Sequence, residues 1–144
     1  MTVCGSCFCL ASRGCTFATS VAPASTGSSA PCFELDVRAD IYVADLAGGV
    51  VDARRRCLTA LAASALTRDI RRIVIERDDG MVDHDKRTLA AAIRAAAPAN
   101  PFEYRWERAH DEPLLWIPDA LAWCWAARGT WQADIRPIVT LHQV

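Results

Sequence analysis

Hydrophobic and polar residues alternate along residues 32–46, CFELDVRADIYVADL, where every second side chain is apolar. This alternation predicts a strand with one buried face. Residues 102–108, FEYRWER, repeat the pattern with aromatic side chains on one face. The short β-branched run at residues 73–75 predicts a third strand, within Arg71–Arg77, that is buried and flanked by helices.

Helical periodicity fills the intervals between these strands. Residues 51–67 place six apolar side chains on one stripe, which predicts a helix. A second helix is predicted to run to about Ala97, where Pro98 stops it, with Asp83 or Asp85 as its N-cap.

The third predicted helix begins near Asp111, which we expect to be its N-cap, and ends at Gly129. Pro118 is expected to kink or restart it. The alternation of strands and helices predicts an α/β domain with about three strands and three main helices. In its core, large residues of the third helix are expected to pack on the strand at 73–75: Trp116, Leu121 and Trp123.

The first 31 residues differ in texture from the rest. They are rich in Ser, Gly, Ala and Cys, and the segment ATSVAPASTGSSAP is typical of a linker. We therefore predict a disordered leader over 1–31 and one domain over 32–144. The spacing of Cys4 and Cys7 is half of a zinc site, but no second Cys-x-x-Cys pair follows at a distance, so no zinc is expected.

Composition narrows the classes of partner. The formal net charge of −1 gives no electrostatic support for nucleic-acid binding by the whole chain. No apolar run approaches the roughly 18 residues that span a bilayer, so no membrane partner is expected. The N-terminus lacks the pattern of a secretory signal, and we expect a cytoplasmic protein.

Three carboxylates are the candidates for chemistry. Glu76 ends the buried strand and Asp78 follows it, at the place where α/β sheets display functional groups. Asp119 lies in the apolar third helix, where a buried carboxylate is costly unless it is paired or binds a cation. Acids from two elements that meet at one point would form a Mg²⁺ site. The alternative is structural: Glu76 pairs with an arginine and Asp119 caps a helix that restarts near Pro118.

The stretch DEPLLWIPDALAWCWAARGTWQADIRPIV resembles the last helix of the bacterial family of domain of unknown function 3800, whose members look ribonuclease-H-like. The family pattern L-x-x-A-D-x-x-A matches at Leu115, Asp119 and Ala122, with Pro118 in place of the first alanine. The segment RRIVIERDDG resembles the family's middle strand, which ends in an acid. The resemblance covers residues 34–140.

The resemblance implies two-metal hydrolysis of phosphodiesters by carboxylates from the first strand, a later strand and the last helix. Asp119 corresponds to the helix acid, and Glu76 or Asp78 to the strand acid; Glu76 and Asp119 would be the metal ligands. The family's first-strand aspartate has no counterpart, because no acid precedes Glu34. The first hairpin is therefore expected to be missing or replaced by the leader, which would leave an exposed sheet edge.

Two hypotheses of function follow. In the first, the chain is a degenerate or truncated metal-dependent nuclease, with weakly held Mg²⁺ as its cofactor and nucleic acid as its partner. In the alternative, it is a non-catalytic binding or assembly module that forms a homo-oligomer through the exposed sheet edge. The sequence leaves open whether the chain is an enzyme.

Overall fold

The computed structural model describes residues 6–12, 15–21, 38–68, 70–98 and 101–144, with side chains from residue 38 onward. These ranges form a mixed α/β fold, which confirms the predicted class. The elements are β1 (Ser6–Ser12), β2 (Cys15–Val21), β3 (Ala39–Val43), α1 (Gly49–Thr67), β4 (Arg72–Glu76), α2 (Val82–Ala96), β5 (Glu103–Glu107), α3 (Trp116–Ala127), α4 (Gly129–Ile135) and β6 (Val139–Gln143).

The larger sheet has the strand order β2-β1-β4-β5. Strands β1 and β2 are antiparallel and form a hairpin in which Ser12 pairs with Cys15. Strand β1 then runs parallel to β4, with Ser6 opposite Arg72, and β4 runs parallel to β5. The prediction of a leader without regular structure is therefore wrong for residues 6–12 and 15–21.

Of the two alternatives predicted for the first hairpin, its absence is wrong, because residues of the leader form a hairpin in its place. Strand β1 occupies the position beside β4 that its absence would have left open, so β4 is paired on both sides. The exposed edge next to β4 that was expected to carry homo-oligomerisation does not exist. The number of strands likewise exceeds the three expected, because the described ranges contain six.

The smaller sheet pairs β3 with β6 in parallel, with Tyr42 opposite His142. The predicted strand at 32–46 is only partly described, since residues 32–37 lie outside the described residues. The described part is buried on both faces, which corrects the expectation of a half-buried strand: Ile41 packs with Ala122 of α3, and Tyr42 packs with the cluster around α1. Helices therefore cover both sides of β3.

The main core lies between α1 and the sheets. The predicted stripe of α1 is buried from Cys57 to Ala65, and it packs against Ile73 and Ile75 of β4. Val74 faces the other side of the sheet, where it contacts Leu115 in the 3-10 turn that precedes α3. The prediction that β4 is a buried strand is confirmed, with α1 on one face and the 3-10 turn on the other.

Helix α2 begins differently from the prediction. Its N-cap is Met81, and no side chain caps it. Asp83 and Asp85 lie in the first turn instead, so neither is the cap. The helix ends at Ala96, and Ala97 adopts a left-handed conformation (φ 41°) immediately before Pro98.

Helix α3 buries different residues from those expected. Trp116 and Trp123 are 65% and 59% exposed, so they are not part of the core with β4. Pro118 lies in the first turn of α3, where backbone N–H groups have no partner within the helix, so the N–H that proline lacks costs no hydrogen bond. The helix restarts here, which is one of the two predicted outcomes. The N-cap of the preceding turn is Glu112 rather than Asp111.

Candidate functional site

Glu76 lies at the carboxyl end of β4, on the face of the sheet where the 3-10 turn before α3 packs. Alternation along the strand places it on the same side as Val74, which contacts Leu115. Its side chain is half-buried. The strand thus presents one carboxylate at its end, next to the start of α3.

Electrostatics show which groups surround this carboxylate. Burial is the largest cause that raises the pKa of Glu76 above its usual range, and the negative charge of Asp119 is the next. Asp78 acts in the same direction, whereas the Arg54 guanidinium lowers the Glu76 pKa. Asp119 and Asp78 therefore both lie within electrostatic reach of Glu76.

Asp119 occupies the first turn of α3 and is exposed. The expectation that it carries the desolvation cost of an apolar helix face is wrong, because water reaches it. A negative charge in a first turn is also favourable to the helix dipole. The position of Asp119 is therefore compatible with both hypotheses, that it is a metal ligand and that it is an acid at the start of a helix.

Asp78 stabilises the turn between β4 and α2 through hydrogen bonds. Its carboxylate accepts the N–H of Gly80 at 2.9 Å, and its carbonyl accepts the N–H groups of Met81 and Val82. The neighbouring Asp79 is held by Arg77 and Arg108, whose guanidinium groups lower its pKa. Asp78, an exposed residue, thus shapes the start of α2.

The first strand adds no acid to this group. Helix α3 lies against β1, but the sequence of β1 is SCFCLAS, without Asp or Glu. Within the part of the chain that the structure describes, no three His, Cys, Asp or Glu side chains converge as metal ligands. The carboxylates near Glu76 therefore share a region without forming a closed coordination shell.

Beside the site lies a buried ion pair that sequence reasoning missed. The Nε and Nη2 atoms of Arg54, in α1, donate to the two carboxylate oxygens of Asp85 at 2.8 and 2.7 Å. Both side chains are almost fully buried, at 3% and 0% exposed. The pair fastens α1 to the first turn of α2. One signal was available, because Arg54 falls on the same helical stripe as Cys57, Leu58 and Leu61.

A second missed cluster surrounds Asp40 in β3. This buried carboxylate pairs with Arg68 at the end of α1 and with His142 Nε2 in β6 at 2.9 Å. The His142 ring also stacks on Tyr42, with ring centroids 4.6 Å apart. The cluster joins β3, β6 and α1, and these are structural contacts remote in sequence, which no local pattern reveals.

The leader cysteines add no ligand to the described side chains. Cys4 lies outside the described residues, and only the backbone is described at Cys7, Cys9 and Cys15. The expectation that the chain binds no zinc stays a prediction.

Comparisons with known proteins add no relative. No family model, no curated protein and no solved structure matches this chain. In the ranges that the structure describes, no helix is both long enough and apolar enough to cross a membrane.

Proposed function

We propose that the chain is a ribonuclease-H-like domain, similar to the bacterial family of domain of unknown function 3800, that has lost part of a nuclease metal site. The support from the fold is the arrangement of three elements. Strand β1 lies beside and parallel to β4, and α3 lies against β1. These are the first strand, a later strand and the last long helix, the elements that supply the carboxylates in such an enzyme.

One observation carries the proposal. The charge of Asp119, from α3, acts directly on Glu76, at the end of β4, and raises its pKa. Two acids that are 43 positions apart in the sequence numbering (119 − 76) are thus within electrostatic reach of each other near the carboxyl end of β4. A divalent cation would relieve the repulsion between them.

The residues present suit one Mg²⁺ better than two. Glu76 and Asp119 would hold the ion and Asp78 would contact it through water, because Mg²⁺ keeps several waters and needs only one or two protein carboxylates. When bound, the ion would neutralise charge and polarise a phosphate oxygen. A second ion needs further carboxylates, and β1 offers none. We therefore expect little or no phosphodiester hydrolysis.

Calorimetric titration with Mg²⁺ and Mn²⁺ tests the site. We expect weak binding to the wild-type protein that disappears in Asp119→Asn and is retained in Asp134→Asn. Asp134 is a matched control, because it is also an exposed helical aspartate and the substitution removes the same charge. Equal metal binding by the two variants would contradict the site.

The activity assay addresses the loss of catalysis separately. Purified protein is incubated with single-stranded and hybrid nucleic acids in the presence of each metal. We expect no cleavage above that of Asp119→Asn. Robust cleavage by the wild type that disappears in Asp119→Asn would show that the site is intact and that another acid completes it.

A second candidate function is supported by the exposed tryptophans. Trp116, Trp123 and Trp131 are each more than half exposed, and the rings of Trp123 and Trp131 contact edge to face at 5.7 Å. An exposed aromatic cluster of this kind is typical of protein–protein interfaces. A second copy of the chain is the partner to test first. Sedimentation velocity should show a concentration-dependent dimer that the double change Trp123→Ala and Trp131→Ala abolishes; a wild-type monomer at all concentrations would exclude homo-assembly.

A further inference from the structure

A groove lies between helix α2 and strand β5, on the face of the sheet that Ile73 and Ile75 share with α1. Its volume is about 780 Å³, which is within the usual range for ligand sites. Three cations and two aromatic rings line it, together with two alanines of α2: Lys86, Arg87, Arg94, Tyr104 and Trp106, with Ala90 and Ala91.

The three cations of this groove differ in their ion pairing from most of the arginines outside it. Elsewhere the guanidinium groups are neutralised in ion pairs, such as those of Arg72 with Glu103 and of Arg105 with Glu112. Among the described residues, no carboxylate pairs with Lys86, Arg87 or Arg94. The groove is therefore a local positive patch on a chain whose net charge is −1.

The aromatic rings form the other wall. Tyr104 and Trp106 are neighbours on one face of β5, and their rings contact edge to face at 5.4 Å. Both are half-buried, and the Lys86 ammonium lies 5.6 Å from the centroid of the Trp106 ring. The small alanines of α2 leave space in front of these rings. A ligand that enters here meets π faces and positive charge together.

We propose that this groove binds nucleotide units of single-stranded nucleic acid. Bases would stack on Trp106 and Tyr104, and phosphates would contact Lys86, Arg87 and Arg94. Aromatic platforms beside cations are the features that single-strand binding requires. The flexible Lys86 side chain leaves the Trp106 ring for a phosphate when a base enters.

The spacing of the cations favours a strand over one phosphate group. Lys86 and Arg94 are eight positions apart (94 − 86), which corresponds to about 12 Å along a helix. Both side chains would have to bend toward one point to share a single phosphate, whereas successive phosphates of a strand can meet each cation where it lies. The inference goes beyond the proposed function, because it uses no carboxylate and no metal ion.

Fluorescence anisotropy with labelled oligo-dT and oligo-U, at low salt and in the presence of EDTA, tests the groove. We expect the double change Lys86→Gln and Arg94→Gln to weaken binding and to reduce the slope of log Kd against log salt by roughly 0.7 for each phosphate that no longer meets a cation. The matched control is Arg128→Gln with Arg136→Gln, two exposed arginines distant in sequence from α2. The control should bind like the wild type, and equally weakened binding in the two double variants would overturn the proposal.

Trp106 distinguishes base stacking from attraction to any polyanion. Trp106→Leu should weaken oligonucleotide binding by roughly 5- to 150-fold. Trp106→Phe should bind nearly as the wild type, because it keeps a ring and removes a buried Nε1 donor that has no acceptor among the described residues. Unchanged oligonucleotide binding by Trp106→Leu, with heparin as an equal competitor, would overturn the assignment of a base-stacking site.

Lys86 provides a direct footprint, because it is the only lysine in the sequence. A bound oligonucleotide should slow acylation of Lys86 by an amine reagent, as followed by peptide mass spectrometry. Thymidine and uridine monophosphates are tested in parallel. If they protect Lys86 at the same concentrations as the oligonucleotide, the ligand of the groove is a free nucleotide. Protection by neither ligand would refute the site. The anisotropy assay contains EDTA and needs no divalent ion, so failure here is separable from failure of the metal site.

Discussion

The buried pair between Arg54 and Asp85 makes a prediction about stability. Replacing Asp85 by Asn preserves the shape of the side chain and removes its charge. The Arg54 guanidinium then stays in a buried position without the carboxylate that accepts two of its hydrogen bonds. The variant should therefore be strongly destabilised.

The magnitude follows from the geometry. Each hydrogen bond between charged groups contributes about 1.5–3 kcal/mol, and removal of one partner from a buried pair typically costs about 3–5 kcal/mol. The two bonds at 2.8 and 2.7 Å and the nearly complete burial of both side chains place this pair in that class. For a chain of this length the loss corresponds to roughly 10 °C or more in Tm.

Urea unfolding followed by circular dichroism measures the effect. The control is Asp83→Asn, which removes an exposed charge from the same helical turn and should change the free energy of unfolding by less than about 0.5 kcal/mol. The double variant Arg54→Met with Asp85→Leu should lose less stability than Asp85→Asn, because no charge is left buried. A loss below about 1 kcal/mol in Asp85→Asn would refute the reasoning.

Three further predictions concern the core and the charged clusters. Ile75→Ala should cost about 2–5 kcal/mol in urea unfolding, because Ile75 is fully buried between β4 and α1; a shift within error would show that β4 is peripheral. The pKa of Glu76 is raised in the folded protein, so the folded state binds more protons than the unfolded state at pH values between the ordinary glutamate pKa and the raised one. Stability therefore falls as the pH rises through that range. Glu76→Gln should therefore raise stability at pH 7 by less than about 1 kcal/mol and lose this advantage below about pH 4. Equal stability of the variant and the wild type at pH 7 would contradict this prediction. Asp40→Asn should lower stability by about 1–3 kcal/mol through the weakened contacts with Arg68 and His142, and unchanged thermal unfolding would show that the cluster is dispensable.

The elements with strong periodicity could be predicted from the sequence. The stripe of α1 and the β-branched run of β4 were placed within two residues of their observed bounds. Both signals depend on local spacing alone, and that spacing decides which face of an element is buried. Glu76, at the end of β4, could be placed for the same reason.

The N-terminal hairpin was missed because the composition of the first 31 residues was interpreted as that of a disordered linker. Cysteine is also among the residues most often buried, and with Phe8 and Leu10 it gives β1 apolar residues at both parities of the strand. That pattern is typical of a strand covered on both faces. Low charge and many small residues, which suggested a linker, are equally compatible with a central strand.

The exposed tryptophans show a different limit of the sequence. Helix α3 is apolar around most of its circumference, so periodicity cannot indicate which residues it buries. The structure buries the small Ala122 and leaves Trp116 and Trp123 outside. The clusters at Asp40 and Asp85 also depend on contacts between distant segments, which the local pattern of a single sequence does not reveal.

The parallel pairing of β3 with β6 has a consequence for folding during synthesis. Asp40 and His142, which contact each other across this pair, are 102 residues apart in the chain. At typical translation rates, β3 emerges on the order of 5–20 s before the strand that pairs with it. Throughout that interval the edge of β3 can pair with other chains, and contacts at such long sequence separation also form slowly. The pairing of β3 therefore cannot be completed before residues 139–143 are synthesised.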